Sequence, residues 1–188
     1  MLKEIIKKNI EDHFNVIGSL DSISNKIEEV SIKVIETLKN NGTIFWCGNG
    51  GSASDSQHLA AELIGRFEKD RAPLKSISLN TDTSVITALS NDYSYDQIFQ
   101  RQLEALGNSK DLLIAISTSG NSKNIINVLK EAKKKQIFTI ALLGKDGGEA
   151  QKFSSLSIVV PSNSTARIQE MHILIGHIIC SCVEKNMF

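Results

Sequence analysis

The sequence predicts an α/β protein built on a doubly wound, largely parallel sheet. From residue 43 onward, five short apolar runs alternate with segments of helical periodicity. The third run, 112–116, is apolar throughout, as a strand covered on both faces requires. Only two prolines, Pro73 and Pro161, fall in 188 residues, so regular elements can run almost uninterrupted.

The first forty residues read as two helices. Leu2, Ile5, Ile6, Ile10, Phe14 and Ile17 recur at helical spacing. After a break at Gly18 and Ser19, Ile23, Ile27, Val30, Val34 and Leu38 form a narrow apolar seam ending at Asn40-Asn41-Gly42. A narrow seam packs on another helix. Residues 1–42 are therefore expected to form a helical arm docked on the domain or on a neighbouring subunit. The first strand, 43–47, is followed by the turn Gly48-Asn49-Gly50-Gly51 and a helix over 52–66. Ser52 and Asp55 have capping-box spacing at its start. A strand at 75–79 precedes helices near 83–90 and 96–106. The strand 112–116 leads through Ser117-Thr118-Ser119-Gly120-Asn121-Ser122 into a helix to about Lys135. Strands 138–143 and 156–160 flank a turn at Gly147-Gly148. Ser164 can cap a long last helix reaching about Glu184.

Composition narrows the function. The chain is 41% hydrophobic and balances 21 basic against 21 acidic residues. That excludes a disordered chain and argues against a nucleic-acid partner, which needs a basic excess or stripe. Cys47, Cys180 and Cys182 are odd in number and lack framework spacing, so they read as buried, reduced thiols of a cytoplasmic protein. Charges interrupt the N-terminal apolar residues and no run reaches 18 apolar residues, so neither signal peptide nor membrane span is expected.

In an open parallel sheet, ligands lie beyond the carboxyl ends of the strands. Two loops there have suitable chemistry. Gly48, Gly50 and Gly51 let backbone approach a ligand, with a helix N-terminus behind them. Gly48, Gly50 and Ala53 even match a dinucleotide pattern. The acidic partner of a nicotinamide cofactor is misplaced, however: Asp82 lies too far along, and Glu68 and Asp70 precede the second strand. No P-loop motif exists. In the second loop, Ser117, Thr118, Ser119 and Ser122 place four hydroxyls around Gly120 at a helix start. That exceeds what a cap needs and suits a phosphate monoester held by hydroxyls and helix N–H groups.

His58 and Glu62 share a helix face at i, i+4, a spacing that can hold a divalent metal. The competing reading pairs Glu62 with Arg66, also i, i+4. On the last helix, Gln169, His172 and His177 interrupt an apolar segment, and such polar groups must find partners. Gln169 and His177 stand about 80° apart around the axis and about 12 Å along it. A single metal reaches both only if the side chains splay together, or one ligand comes from another subunit. His172 and His13 read as satisfied structural histidines.

The segments GNGGSASDSQHLAAEL (48–63), STSGNS (117–122) and RIQEMHILIGH (167–177) resemble the sugar isomerase (SIS) family over nearly the whole chain. Within it, they are similar to members that interconvert D-sedoheptulose 7-phosphate and D-glycero-D-manno-heptose 7-phosphate on the route to bacterial surface heptose. The resemblance implies a flavodoxin-like five-stranded parallel sheet over 43–188 and a homotetramer with active sites between subunits. It implies zinc held by His58, Glu62, Gln169 and His177. It further implies phosphate contacts from Ser117, Thr118, Ser119 and Ser122, and sugar contacts from Asn49, Gly50, Gly51, Asn91 and Asp92, with Glu62 and Gln169 also touching substrate. Enediol proton transfer would use Glu62 as carbon base and His177 as its acid–base partner. A carboxylate held by zinc is a weaker base, so Glu62 either leaves the metal during turnover or serves a metal that is mainly structural or orienting. A non-catalytic branch of the family binds the bacterial replication initiator and lacks counterparts of Glu62 and His177, both present here. A third reading is an isomerase for another ketose phosphate. One departure is Ala166, where the family's isomerases often carry an acidic residue supporting the region of Gln169.

Overall fold

A computed structural model describes residues 1–188. Helices α1 (Leu2–Ile17) and α2 (Ser24–Lys39) are followed by β1 (Ile44–Gly48), α3 (Gly51–Ile64), β2 (Ser76–Ser78), α4 (Thr83–Asp92) and α5 (Ile98–Leu106). Then come β3 (Leu112–Ser117), α6 (Lys123–Lys134), β4 (Phe138–Gly144), β5 (Leu156–Val160) and α7 (Thr165–Met187). Every strand pairing is parallel, in the order β2-β1-β3-β4-β5. This is the expected doubly wound α/β architecture. The chain moves outward from β1 to β2, then crosses back to β3 and proceeds the other way, so the order reverses between β1 and β3. Gly48 ends β1 in register with Ile116 of β3, one residue before Ser117. The reversal therefore sets the glycine loop and the hydroxyl loop side by side, where an open α/β sheet binds its ligand.

Pleating sends alternate side chains to opposite faces. Ile44 and Trp46 of β1, Leu112 and Ile114 of β3, and Ile140 and Leu142 of β4 join α2, α3 and α7 in one core. Phe45, Cys47, Leu113, Ala115, Ala141 and Leu143 pack with α5 and α6 on the other face. The narrow seam of α2 lies in the first core through Ile27, Val30, Val34 and Leu38. Helix α1 has no buried residue. It is tied to α7 by His13 Nδ1 to Glu170 Oε2 (2.8 Å) and by Arg167 donating to Asn9 O. Its Leu2, Ile5, Ile6, Ile10 and Phe14 face solvent. No helix is long and apolar enough to cross a membrane.

Three local expectations need correction. Helix α3 starts at Gly51 behind Gly50, whose φ of 57° is a left-handed turn that favours glycine. Ser52 is therefore already inside the helix and no capping box forms; Asp55 Oδ2 is left buried without a partner. Ser164 stands at the N-cap of α7 without making a side-chain capping bond. Cys47 and Cys180 are buried, and burial raises both thiols, Cys180 to about 12, but Cys182 is partly exposed.

His172 is fully buried, and its Nε2 lies 2.9 Å from Leu143 O. A carbonyl only accepts, so Nε2 carries the hydrogen and Nδ1 is a bare acceptor without a partner. Burial pulls the pKa down from 6.5 to about 4, with the Leu143 bond opposing. Between those values the unfolded chain holds the extra proton, so acidification favours unfolding. Stability should fall as pH drops from 6.5 toward about 4, by on the order of 3 kcal/mol from this residue. Urea midpoints measured across that range should slope less steeply in His172→Leu; an unchanged slope would contradict the assignment.

Candidate active site

Helices α3 and α7 run parallel and in contact on one face of the sheet. Gly176 makes the contact close, because a Cβ there would collide with the buried Leu59 side chain. Successive contacts climb both helices together. The Gln169 amide lies over Gly51, the His177 ring over His58, and Glu184 reaches the backbone beyond the end of α3. The polar residues of two sequence-distant helices thus line one seam.

At mid-seam, His58, Glu62 and His177 each offer a ligand atom, and these atoms all lie within 4.8 Å of one another. His58 Nε2 is 2.9 Å from Glu62 Oε1. The His58 and His177 rings meet edge-on at 5.0 Å between centroids, and Phe67 stacks on His177 at 5.7 Å and 27°. The His58 side chain is 50% exposed and Glu62 23%, so the cluster opens to solvent. Glu62 pairs with His58, not with the exposed Arg66. Asp55, one turn earlier, is raised in pKa by burial, with the nearby His58 opposing. Gln169 stands about two turns from His177 and belongs to the glycine-loop end of the seam.

Across the crevice, the hydroxyl loop divides its groups between two tasks. Ser117 Oγ accepts from Gly120 N (3.1 Å) and Ser119 Oγ from Asn121 N (3.2 Å), which shapes the turn. Ser122, the N-cap of α6, makes no capping bond, and the Thr118 hydroxyl is also uncommitted. With Ile125 N satisfied by Asn124 Oδ1, the N–H groups of Lys123 and Asn124 have no intrachain acceptor. Free hydroxyls beside free helix N–H groups are suited to an anion.

The two loops are braced to each other. Asn49 and Asn124 exchange amide hydrogen bonds of 2.9 and 2.8 Å, and the Tyr95 hydroxyl donates to the same Asn49 oxygen at 3.0 Å. Asn80 grips Gly48, accepting from its N–H and donating to its carbonyl. The Asn49 side chain is therefore committed mainly to the loops, which leaves the backbone of Gly50 and Gly51 as the approachable surface. Asn91 and Asp92 lie exposed at the end of α4, bonded to each other at 2.9 Å. The braces Tyr95, Asn124 and Asn80 were not singled out from sequence, since nothing in spacing reveals an amide pair across 75 residues. A second unforeseen group is Arg71 with Glu184, both side chains 2% exposed. Burial would raise the Glu184 carboxyl, but N–H donors from Glu68, Lys69 and Phe67 and the Arg71 guanidinium hold it below the usual carboxylate range. Its one sequence signal was a charged residue inside the apolar end of α7.

The sequence profile of the family described as "SIS domain" matches residues 14–144. The chain belongs to the SIS domain family. A phosphoheptose isomerase of Sulfurimonas denitrificans is 52% identical over 190 residues, covering 100% of this chain and 97% of the relative. The structure of a phosphoheptose isomerase from Neisseria gonorrhoeae superposes with a TM-score of 0.93 at 38% identity, covering 98% of this chain and 100% of that one. One from Francisella tularensis gives 0.95 at 35% identity, covering 98% and 99%. The family resemblance read from the three motifs is borne out.

In this SIS domain the seam depends on the close approach at Gly176. Gly176→Val should force Leu59 out of its packing and destabilise the fold by about 1–3 kcal/mol. Chemical denaturation would measure this, and a variant as stable as the parent would show that the seam can widen freely.

Proposed function

We propose that this chain is an aldose–ketose isomerase, a phosphoheptose isomerase interconverting D-sedoheptulose 7-phosphate and D-glycero-D-manno-heptose 7-phosphate. One observation carries the reading: His58, Glu62 and His177, carried by two helices far apart in sequence, converge within 4.8 Å of one another at the seam. The names of the relatives support the same substrate class.

The reaction moves one proton between neighbouring carbons and another between their oxygens. Glu62 takes the proton from C1 of the ketose, and His177 donates one to O2, giving the enediol. His177 then accepts the O1 proton while Glu62 returns its proton at C2, giving the aldose. Glu62 is equipped for this: its Oε1 is shared with His58, and no side-chain donor holds its second oxygen. The hydroxyl loop fixes the distant phosphate, so that binding energy far from the reacting carbons sets their position. Asn91, Asp92 and the backbone of Gly50 and Gly51 are assigned to the sugar hydroxyls.

The donor set suits zinc, which takes nitrogen and oxygen ligands with an open position in catalytic sites. His58, Glu62 and His177 would hold it, with the Gln169 amide oxygen as a further ligand once its side chain splays toward them or a neighbouring subunit supplies it. Bound there, zinc would supply Lewis-acid stabilisation of the sugar oxygens. The exposed apolar face of α1 and a cleft of about 610 Å³ lined by Leu20, Ile27, Ile35 and Ile178 support self-association, and we assign a homotetramer. The enzyme is placed in the cytoplasm, feeding heptose to surface polysaccharide such as lipopolysaccharide.

Purified protein should isomerise sedoheptulose 7-phosphate, lose activity on chelation and regain it with zinc. Glu62→Gln should lower kcat by about 10²–10⁴-fold while phosphosugar binding survives; parent-like turnover would remove Glu62 as the base. Replacing Thr118 and Ser122 together by Ala should lower kcat/KM by at least about tenfold, since each hydrogen bond to a charged group contributes about 1.5–3 kcal/mol. An unchanged kcat/KM in that double variant would place the phosphate elsewhere.

A further inference from the structure

We infer that Arg71 and Glu184 are positioning residues of this site: their buried ion pair holds α3 and α7 in register and seats Phe67 on His177. The inference rests on the isomerase reading of the seam.

Arg71 spans the end of the helix that carries His58 and Glu62. Its terminal nitrogens donate to Glu62 O (2.7 Å), Leu63 O (2.8 Å) and Gly65 O (3.0 Å), carbonyls that the end of α3 leaves without helical partners. Its Nε donates to Glu184 Oε1 at 3.1 Å. Glu184 lies seven residues after His177, about two turns along α7 and on nearly the same face. Its carboxylate also accepts from Phe67 N (3.4 Å), Glu68 N (2.7 Å) and Lys69 N (3.0 Å). A single pair thus fixes the carbonyl of Glu62, the end of α3, and the backbone that presents Phe67. That ring stacks on His177 at 5.7 Å between centroids.

A buried ion pair is a weak source of net stability, because desolvation offsets its attraction and apolar replacements often match it. The pair's distinctive contribution is directional. Four carbonyls, those of Glu62, Leu63, Gly65 and Ala72, converge on one guanidinium and three N–H groups on one carboxylate, which sets the spacing of two helices whose side chains must meet at one point. Groups that orient ligands from outside the coordination sphere typically change metal affinity by about 10- to 100-fold.

The test uses the full-length zinc-loaded chain with Arg71→Lys, Glu184→Gln and Phe67→Ala. Zinc affinity by chelator competition should fall about 10- to 100-fold in the first two. Their kcat should fall about tenfold or more while KM for the phosphoheptose stays within about threefold, since the phosphate loop is untouched. Phe67→Ala leaves the ion pair in place and should reproduce the kcat loss and move the pH–rate profile. In the metal-free chain, the imidazole NMR signals of His177 should shift in all three variants as the Phe67 ring is displaced or removed. Lower melting temperature with unchanged zinc affinity, kcat and His177 signals would reduce the pair to a structural one and overturn the inference. Should both ion-pair variants fail to fold, Phe67→Ala decides: parent-like kcat and zinc affinity there overturn it. A parent protein that neither turns over phosphoheptose nor binds zinc would overturn the isomerase reading instead, which the metal-free His177 signals do not depend on.

Discussion

Helices α3 and α7 can share a line of polar side chains only because their backbones approach closely where Gly176 meets Leu59. Both helices pack on the same face of the sheet, and both run parallel to each other. Each residue of one therefore has a fixed counterpart on the other, and a chemical group is made from two halves 119 residues apart, as with His58 and His177. A wider or tilted contact would leave two half-exposed polar helices and no site. The sheet supplies the matching constraint on the other side of the crevice. Its reversal between β1 and β3 brings the two loops together with no further design in the chain.

The anion chemistry follows a similar economy. The chain carries no net charge, and neither loop contains Lys or Arg. In the proposed reading, negative charge is instead met by oriented dipoles: the N-terminal N–H groups of α6 and the hydroxyls of Thr118 and Ser122. Such donors are fixed before a ligand arrives, because the Ser117 and Ser119 oxygens accept N–H groups of the turn and the Asn49–Asn124 exchange holds the loops together. A single phosphate needs no net positive charge on the chain, because donors fixed around one loop can meet it locally.

The polar residues of α7 divide by what surrounds them. His172 turns into the core, where Leu143 O accepts its one hydrogen and burial keeps it neutral. His177, five residues on, emerges between His58 and Phe67. Glu184 is buried like His172 yet stays charged, since four donors surround its carboxylate. Identical helical context thus gives a structural histidine, a candidate catalytic one and a buried anion.

The sequence by itself determined the layers of this protein. Alternating apolar runs required five strands with helices between them, and local chemistry marked the loops after 48 and 117. Those features are legible because periodicity and turn chemistry act over a few residues. Sequence also nominated His58, Glu62, Gln169 and His177, but it left open whether Glu62 paired with Arg66 and how the two helices met. Local spacing likewise misplaced the cap of α3, because a left-handed Gly50 started the helix one residue early. Only the tertiary structure decided that His58, Glu62 and His177 converge, that Asn49 braces a loop, and that Arg71 reaches across 113 residues to Glu184. Those outcomes depend on distances between elements, which are set by packing through side chains such as Leu59 and by sheet order, and neither is encoded in any short window of the chain.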